Sequence, residues 1–155
     1  MNVEDFMISD VVVIHQDETI GTLLKTLVDH KIGGVPVIDD AGKLVGIVSD
    51  GDVLRALAPK QQTHFDFYAM VVSFEEEKTE EKIMAVLKDT VKKIMTKRNL
   101  QVVYSDNDFN ESLKILSHHH FKKIPVIDDE RHVVGVISRG DVIRFINRQV
   151  MKKLK

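Results

Sequence analysis

Hydrophobic and polar positions follow two different periods along this chain, and their order predicts an α/β protein. Residues 11–14 form a short β-branched run that is typical of a strand. Apolar residues then recur from Ile20 to Val28 at the spacing of a helix with one buried face. Asp17 or Thr19 precedes this helix and is its candidate N-cap.

Two further apolar runs, residues 35–38 and 44–48, predict a pair of strands. The five residues between them, Asp-Asp-Ala-Gly-Lys, have the chemistry of a hairpin turn. A second helix is predicted to start near Gly51 and to continue through Leu57. The resulting order of elements is β-α-β-β-α.

The same order returns later in the chain, which indicates an internal duplication. The segment VPVIDDAGKLVGIVSDGDVLR begins at Val35, and IPVIDDERHVVGVISRGDVIR begins at Ile124, 89 residues later. The spacing holds without a gap from Asp10 and Asn99 onward. The sequence therefore predicts a first repeat at 1–58 and a second at 91–155. Neither repeat buries much core alone, so we expect a pseudo-two-fold pair forming one compact module.

The connection between the repeats, residues 59–90, is too long to lack structure in a compact domain. A run of glutamates precedes several lysines, and Ile83, Leu87, Val91 and Ile94 form an apolar stripe. We expect this segment, through Ile94, to be a helix that packs on the module or on a partner. The preceding stretch, from Phe65 to Phe74, is apolar enough to pack on the module or on a second copy.

Composition narrows the function without naming it. The formal net charge of −2 gives no overall attraction to nucleic acid, and the absence of cysteine excludes disulfides and thiolate chemistry. No apolar run reaches about 18 residues, and the acidic N-terminus does not look like a signal peptide. We expect a cytoplasmic protein without a membrane span.

The strongest local signal is the pattern Gly-x-x-Ser-x-Gly-Asp, which ends at Asp52 in the first repeat and at Asp141 in the second. One interpretation is structural, because Ser followed three residues later by Asp is a helix capping box. The other is functional, because a glycine and a carboxylate at a helix N-terminus suit a phosphate or the diol of a ribose. Duplication alone does not decide between them, since a duplicated fold also duplicates its caps.

Taken together, the tandem repeats, the V-P-V-I-D-D stretch at residues 35–40 and the duplicated motif resemble paired cystathionine-β-synthase-type (CBS) repeats, often called a Bateman module. The resemblance implies a regulatory module rather than an enzyme, with no catalytic residue and no required cofactor. It also implies an adenine-containing regulatory ligand (AMP, ADP, ATP or S-adenosylmethionine), a homodimer, and an unidentified partner protein.

The resemblance further implies two ligand clefts between the repeats. The first cleft would consist of Ser138, Gly140 and Asp141 with Asp10, Val12, Ile32 and Gly33. The second cleft would consist of Ser49, Gly51 and Asp52 with Asn99, Gln101, Phe121 and Lys122.

The two clefts differ in charge. Lys122 and Lys123 replace the glycines of the first repeat, and Arg139 replaces Asp50. Because phosphates prefer cations, we expect one cleft to bind an anionic nucleotide better, with one of these cations reaching a phosphate. Solvated surface charges are the alternative.

Other functional classes have weaker support. Residues 118–120 are three histidines, but adjacent residues on a helix face different directions, so a metal site is not expected. No catalytic motif is recognisable. A ligand-free structural adaptor stays open, as does a nucleic-acid-binding regulator if the lysines and arginines share one face.

Overall fold

The computed structural model describes residues 1–58, 79–118 and 123–154 and has the predicted mixed α/β architecture. The first repeat contains β1 (Ile14–His15), α1 (Ile20–His30), β2 (Gly34–Ile38), β3 (Leu44–Ser49) and α2 (Asp50–Leu57). Its sheet has the order β1-β2-β3, with β1 parallel and β3 antiparallel to the central strand.

The second repeat has the same elements in the same order. After the helical residues 79–88 (α3) come β4 (Val103–Tyr104), α4 (Phe109–Leu116), β5 (Lys123–Ile127), β6 (Val133–Ser138) and α5 (Arg139–Lys153). Its sheet, β4-β5-β6, repeats the parallel and antiparallel pairings. Each repeat is also preceded by a short 3-10 turn, at Val3–Asp5 and Val91–Lys93.

Local chemistry explains where these elements start and turn. The hydroxyl of Thr19 accepts a hydrogen bond from the Thr22 amide at 3.1 Å, which makes Thr19 the N-cap of α1. In the first hairpin, Asp39 Oδ1 accepts amide hydrogen bonds from Ala41 and Lys43, both at 2.9 Å. Gly42 takes a left-handed conformation there, with φ of 76°, which glycine adopts without a steric penalty.

The two repeats exchange their first segments. The 3-10 turn at Val3–Asp5 packs in the core of the second repeat, and the one at Val91–Lys93 packs in the core of the first. The backbone contacts are symmetric: the Val3 amide donates to the Asn107 carbonyl at 3.0 Å, and the Val91 amide donates to the Glu18 carbonyl at 2.8 Å. Each repeat is therefore completed by the beginning of the other.

The exchanged segments carry buried apolar side chains. Phe6 is 6% exposed and contacts the rings of Phe109 and Phe145, with ring centres 5.4 and 5.2 Å away. On the other side, Val91 is fully buried against the first repeat. Each core thus depends on residues from both ends of the duplication.

An ion pair holds the second exchanged segment to the first repeat. Lys92 Nζ donates to Asp17 Oδ1 at 2.9 Å. This hydrogen bond, opposed in part by desolvation, holds the pKa of Asp17 below its ordinary value of 3.8. The ion pair therefore favours the ionised carboxylate.

The strands β3 and β6 receive the exchanged segments at a glycine. A Cβ atom at Gly46 would lie 2.7 Å from Met95 Sδ and 2.9 Å from the Thr96 carbonyl oxygen, and one at Gly135 would lie 2.6 Å from Met7 Sδ. These are closer than a real Cβ atom approaches its neighbours. The glycine that begins each motif thus makes room for the other repeat.

The two hairpins meet across the pseudo-two-fold axis. Lys43 and His132, which are equivalent positions, form an isolated bridge, and the Leu44 amide donates to the Arg131 carbonyl at 3.0 Å. The His132 ring lies between two oxygens, with Nε2 3.1 Å from the Ala41 carbonyl and Nδ1 3.2 Å from Asp128 Oδ2. Desolvation raises the pKa of Asp128, but the hydrogen bonds that it accepts from the His132 and Glu130 backbone and from the His132 ring outweigh desolvation. The pKa of Asp128 therefore lies below its ordinary value of 3.8.

Several expected boundaries were wrong. Within the run at 11–14, β pairing begins only at Ile14, because the preceding residues cross between the repeats. The helix predicted through Ile94 ends at residue 88, because Thr90 is extended and bridges Thr19. Val28, assigned to the buried face of α1, is 72% exposed. The apolar stretch from Phe65 to Phe74 lies outside the described residues.

None of the helices in the described part of the chain combines the length and the apolar character that crossing a lipid bilayer requires.

Candidate functional site

The two Ser-x-Gly-Asp turns have the same geometry at the junction of strand and helix. In the first repeat, Asp52 Oδ2 accepts hydrogen bonds from the Ser49 amide at 2.9 Å and the Ser49 hydroxyl at 3.1 Å. In the second, Asp141 Oδ2 accepts them from the Ser138 amide at 2.9 Å and hydroxyl at 2.6 Å. Both turns are capping boxes, so the structural interpretation of the motif is confirmed in each repeat.

The capping box uses only one oxygen of each carboxylate, Oδ2, so Oδ1 is available for another partner. Asp52 Oδ1 pairs with Arg55 Nη2 at 2.6 Å, and Asp141 Oδ1 makes the equivalent pair with Arg144. The carboxylates are nearly buried, at 13% and 6% exposed, whereas the two arginine side chains are 73% and 67% exposed. The functional interpretation therefore depends on Oδ1, since a ligand hydroxyl would have to share this oxygen with a guanidinium.

The exchanged segments bring each motif next to the other repeat. Ile8 forms a two-way backbone bridge with Val136, two residues before Ser138. Thr96 forms the same bridge with Ile47, two residues before Ser49. The chain then crosses from the bridge to its own sheet through residues 9–13 in one case and 97–102 in the other. A strand end from one repeat and a crossing segment from the other thus lie together at two equivalent places.

The crossing segments contain four predicted site residues. Asp10 and Asn99 are exposed, while Val12 and Gln101 are half-buried. Asn99 adopts a left-handed backbone, with φ of 53°, which Asn tolerates better than most residues. Their common position beside a motif supports the predicted grouping, and their contacts with a ligand stay a prediction.

Gly33, which the sequence grouped with the Ser138 turn, lies at the Ser49 turn of its own repeat. Gly33 lies against Asp50 of its own repeat: its carbonyl accepts the Asp50 amide at 2.9 Å, and a Cβ at Gly33 would lie 3.4 Å from Asp50 Oδ2. Ile32, just before it, is half-buried in the first core. Gly33 is therefore next to the turn that the sequence grouping assigned to the second cleft, and the Asp50 carboxylate lies beside it.

Arg139, the counterpart of Asp50, faces the end of α4. Its Nε donates to the Leu116 carbonyl at 3.2 Å and its Nη2 donates to the His118 carbonyl at 2.8 Å. Cations at a helix C-terminus are stabilised by these carbonyls and by the helix dipole. The arginine thus has a structural partner, and its predicted contact with phosphate would require a different rotamer or its remaining N–H groups.

The other predicted cations are only partly described. Lys123 is exposed at the start of β5, where it is the register partner of Ser138. Phe121 and Lys122 lie outside the described residues, as do His119 and His120.

Sequence reasoning did not assign Arg55 and Arg144 to the clefts. Each lies three residues after the motif aspartate, a spacing that places two side chains on one face of a helix. The signal was present in both copies, since D-V-L-R and D-V-I-R are equivalent. A search for acid–base pairs at this spacing would have found it.

A different cluster brings three potential metal ligands together. Ligand atoms of His15, Asp17 and Asp40 lie within 4.8 Å of one another. His15 Nε2 is 2.6 Å from Asp40 Oδ1, and its Nδ1 accepts the Asp17 amide at 3.1 Å. Because Lys92 already pairs with Asp17, the cluster is accounted for as a hydrogen-bonded network at the edge of the first sheet.

A cavity of about 400 Å³ lies away from both motifs, lined by Met1, Asp5, Phe145, Arg148, Gln149 and Lys152. It is an open groove between the N-terminal segment and the second half of α5. Since no motif residue lines it, the groove is separate from the candidate clefts.

Comparison with known proteins agrees with the duplicated architecture. The family model described as CBS domain matches twice, at residues 3–59 and 91–148. The uncharacterized protein MJ1426 of Methanocaldococcus jannaschii is 27% identical over 159 residues, spanning 94% of each chain. Inosine-5'-monophosphate dehydrogenase of the same organism is 27% identical over 141 residues, which span 91% of this chain and 23% of that enzyme.

Two similar solved structures are complexes with adenosine-containing compounds. CBSX2 of Arabidopsis thaliana in complex with AMP has a TM-score of 0.68 and 26% identity, covering 95% of this chain and 96% of that one. The CBS domain pair of protein MJ0100, in complex with 5'-methylthioadenosine and S-adenosyl-L-methionine, has a TM-score of 0.68 and 25% identity, covering 96% and 98%. These similar proteins bind adenosine-containing small molecules.

Proposed function

The chain belongs to the CBS domain family, and on that premise we propose that it is a regulatory module that binds an adenine nucleotide between its two repeats. One observation carries the proposal: each Ser-x-Gly-Asp turn holds a carboxylate beside a segment from the other repeat. A ligand at either place would touch both repeats. Its binding free energy would therefore depend on how the repeats are arranged.

Such coupling is what a sensor requires. A ligand shifts a conformational equilibrium only by its difference in affinity for the two states. A ligand-induced shift of one repeat against the other would change the contacts between them. These contacts are the hairpin bridge between Lys43 and His132 and the two exchanged segments. The module would pass this change to a partner protein, with a coupling of about 1–3 kcal/mol.

The ligand that we propose is an adenine nucleotide or a related adenosine compound, because similar CBS pairs bind AMP, 5'-methylthioadenosine and S-adenosyl-L-methionine. Asp52 and Asp141 would accept hydrogen bonds from the ribose hydroxyls through Oδ1. The backbone at Gly51 and Gly140 would permit close approach.

We expect the two clefts to differ in affinity. Asp50 adds a negative charge between Ser49 and Gly51, whereas Arg139 holds the equivalent position between Ser138 and Gly140, and Lys123 pairs in register with Ser138. The cleft at the Ser138 turn should therefore bind an anionic nucleotide more tightly. Calorimetry should give two classes of site; equal affinities, or an unchanged affinity in Lys122→Ala, would count against this difference.

Self-association is part of the proposal. Exposed apolar side chains follow α5 to its C-cap, with Ile143 at 66%, Val150 at 49% and the C-cap residue Leu154 at 75% exposed. Leu54 of α2, the equivalent of Ile143, is also 66% exposed. Pairing these faces would give the predicted homodimer and remove apolar surface from water.

A thermal-shift panel of AMP, ADP, ATP, S-adenosylmethionine, NAD and GTP tests the central proposal. A ligand at a hundred times its dissociation constant stabilises the fold by about 2.7 kcal/mol, a melting shift of about 5–10 °C for this size. Any hit is then titrated into Asp52→Asn and Asp141→Asn. Thr19→Ala is the matched control, because it removes a helix cap far from both motifs.

Selective stabilisation by adenine compounds, weakened in the aspartate variants and retained in Thr19→Ala, is the expected result. A flat panel from folded, nucleotide-free protein would favour a ligand-free adaptor instead. Steeply salt-dependent binding to DNA or RNA would favour the nucleic-acid-binding alternative. Release of phosphate from a bound nucleotide would contradict the proposal that the module is not an enzyme.

A further inference from the structure

Each motif aspartate pairs with an exposed arginine, and this arginine lies where a bound ligand would contact it. Each carboxylate has one oxygen committed to the helix cap, so Oδ1 is the atom that a ribose hydroxyl would reach. That atom is already in contact with Arg55 in the first repeat and with Arg144 in the second. A ligand that reaches the carboxylate must therefore also meet the guanidinium.

The guanidinium also lies over the motif glycine. A Cβ built at Gly51 would be 3.3 Å from Arg55 Nη1, and one built at Gly140 would be 3.3 Å from Arg144 Nη1. Because both repeats show this placement, it follows from the local sequence and not from an accident of one surface. The arginine thus lies over the turn glycine, where a ligand would approach the backbone.

Each guanidinium has unused donors. Arginine carries five N–H donors in a planar fork, and among the described residues each of these two side chains hydrogen-bonds only to its aspartate. More than half of each side chain is exposed, so the remaining N–H groups face the solvent at the cleft. The carboxylate neutralises much of the charge but uses only one edge of the fork.

We propose that Arg55 and Arg144 contact the ligand and select for a phosphate: the guanidinium orients the ribose-binding carboxylate with one edge and donates to a phosphate oxygen with its free N–H groups. This inference rests on the proposed nucleotide binding and deepens it. It makes the module prefer AMP-like anions to uncharged adenosine. Planar, charge-assisted hydrogen bonds of this kind are the strong ones in phosphate recognition.

The test compares two ligands that differ only in the phosphate. Dissociation constants of AMP and adenosine are measured by calorimetry for the full chain and for Arg55→Gln and Arg144→Gln. Losing a charge-assisted hydrogen bond to phosphate should weaken AMP by about tenfold or more at the altered cleft. Adenosine should change by less than about threefold, so the AMP-to-adenosine affinity ratio falls.

Two further kinds of variant separate the charge of the arginine from its planar shape and provide a control. Arg→Lys at the same positions keeps the charge without the planar fork and should restore part of the AMP affinity. Arg148→Gln, an exposed position one turn further along α5, is the matched control and should leave both affinities unchanged. Thermal unfolding of every variant confirms that binding is measured on folded protein.

Each result decides the question. A fall in the AMP-to-adenosine ratio supports phosphate selection. An equal loss for both ligands would reduce the arginine to a positioning residue, and a gain for both would make it a cover that the ligand must displace; both overturn the proposal. If the unaltered chain binds neither ligand, the proposed function itself fails, and this inference fails with it.

Discussion

The exchange of first segments predicts that a substitution in one repeat destabilises the other. Phe6 belongs to the first repeat by sequence, yet it is 6% exposed within the second core, between Phe109 and Phe145. Phe6→Ala should therefore leave a cavity in the second repeat. Buried Phe→Ala substitutions cost about 3–5 kcal/mol, because the lost transfer free energy adds to that of the cavity.

This loss should be visible in global unfolding. For 155 residues the entropy of unfolding corresponds to about 0.33 kcal/mol per degree, so the melting temperature should fall by about 9–15 °C. Ile94→Ala is the matched control, since Ile94 is the counterpart of Phe6 and packs, half-buried, on the first core. Its cost should be smaller, because less of the side chain leaves water on folding.

Hydrogen exchange monitored by mass spectrometry locates the effect. Phe6→Ala should lower the protection of β4, β5 and β6 more than that of β1, β2 and β3, and Ile94→Ala should do the reverse. Loss of protection in Phe6→Ala that is concentrated in the first repeat would refute the exchange, as would a melting temperature within about 2 °C of the unaltered chain.

Three further predictions follow from other contacts. Gly46→Ala should destabilise the fold by about 1–3 kcal/mol, and Gly135→Ala should destabilise it by less. The reason is that the new methyl group meets a backbone oxygen at 2.9 Å in the first variant and at 3.2 Å in the second. Urea unfolding that ranks the two variants the other way would contradict this prediction. Because the folded pKa of Asp17 is depressed, the stabilisation from its pair with Lys92 is present above the ordinary value of 3.8 and is lost as the pH falls through the lower folded pKa. Unfolding measured from about pH 5 to pH 3 should show this loss in the unaltered chain, and an identical acid dependence in Asp17→Asn would count against it. Ile143→Glu should convert the proposed dimer to monomer by light scattering, whereas an unchanged mass would place the interface elsewhere.

Much of the fold was present in local sequence signals. The hairpin with Gly42 followed from turn chemistry. The place before an apolar stripe left Asp17 and Thr19 as candidate caps of α1, and the structure selects Thr19. The duplicated motif was found because equivalent residues keep a constant spacing. The end of α3 did not follow from the pattern: the stripe through Ile94 is continuous in sequence, but Thr90 is extended and caps a separate 3-10 turn. Periodicity reports which residues are apolar and not which core they enter.

The candidate site shows the same division. Sequence marked Asp52 and Asp141 as carboxylates of interest, but it could not tell a helix cap from a ligand site. The structure shows how the two oxygens of Asp52 divide: Oδ2 belongs to the cap, and Oδ1 pairs with an arginine. Such a division depends on side-chain rotamers, which have no signature in residue order.

The sequence by itself determined the duplication, the order of elements within each repeat and the pairing of Ser with Asp at the start of two helices. These features depend on neighbours within a few residues, where backbone sterics and hydrogen-bond geometry leave few choices. Only the tertiary structure decided that residues 1–8 complete the second repeat and 89–96 the first. The two repeats share one order of elements and one motif, so local sequence does not say which repeat receives which segment, and the choice depends on the path of the whole chain.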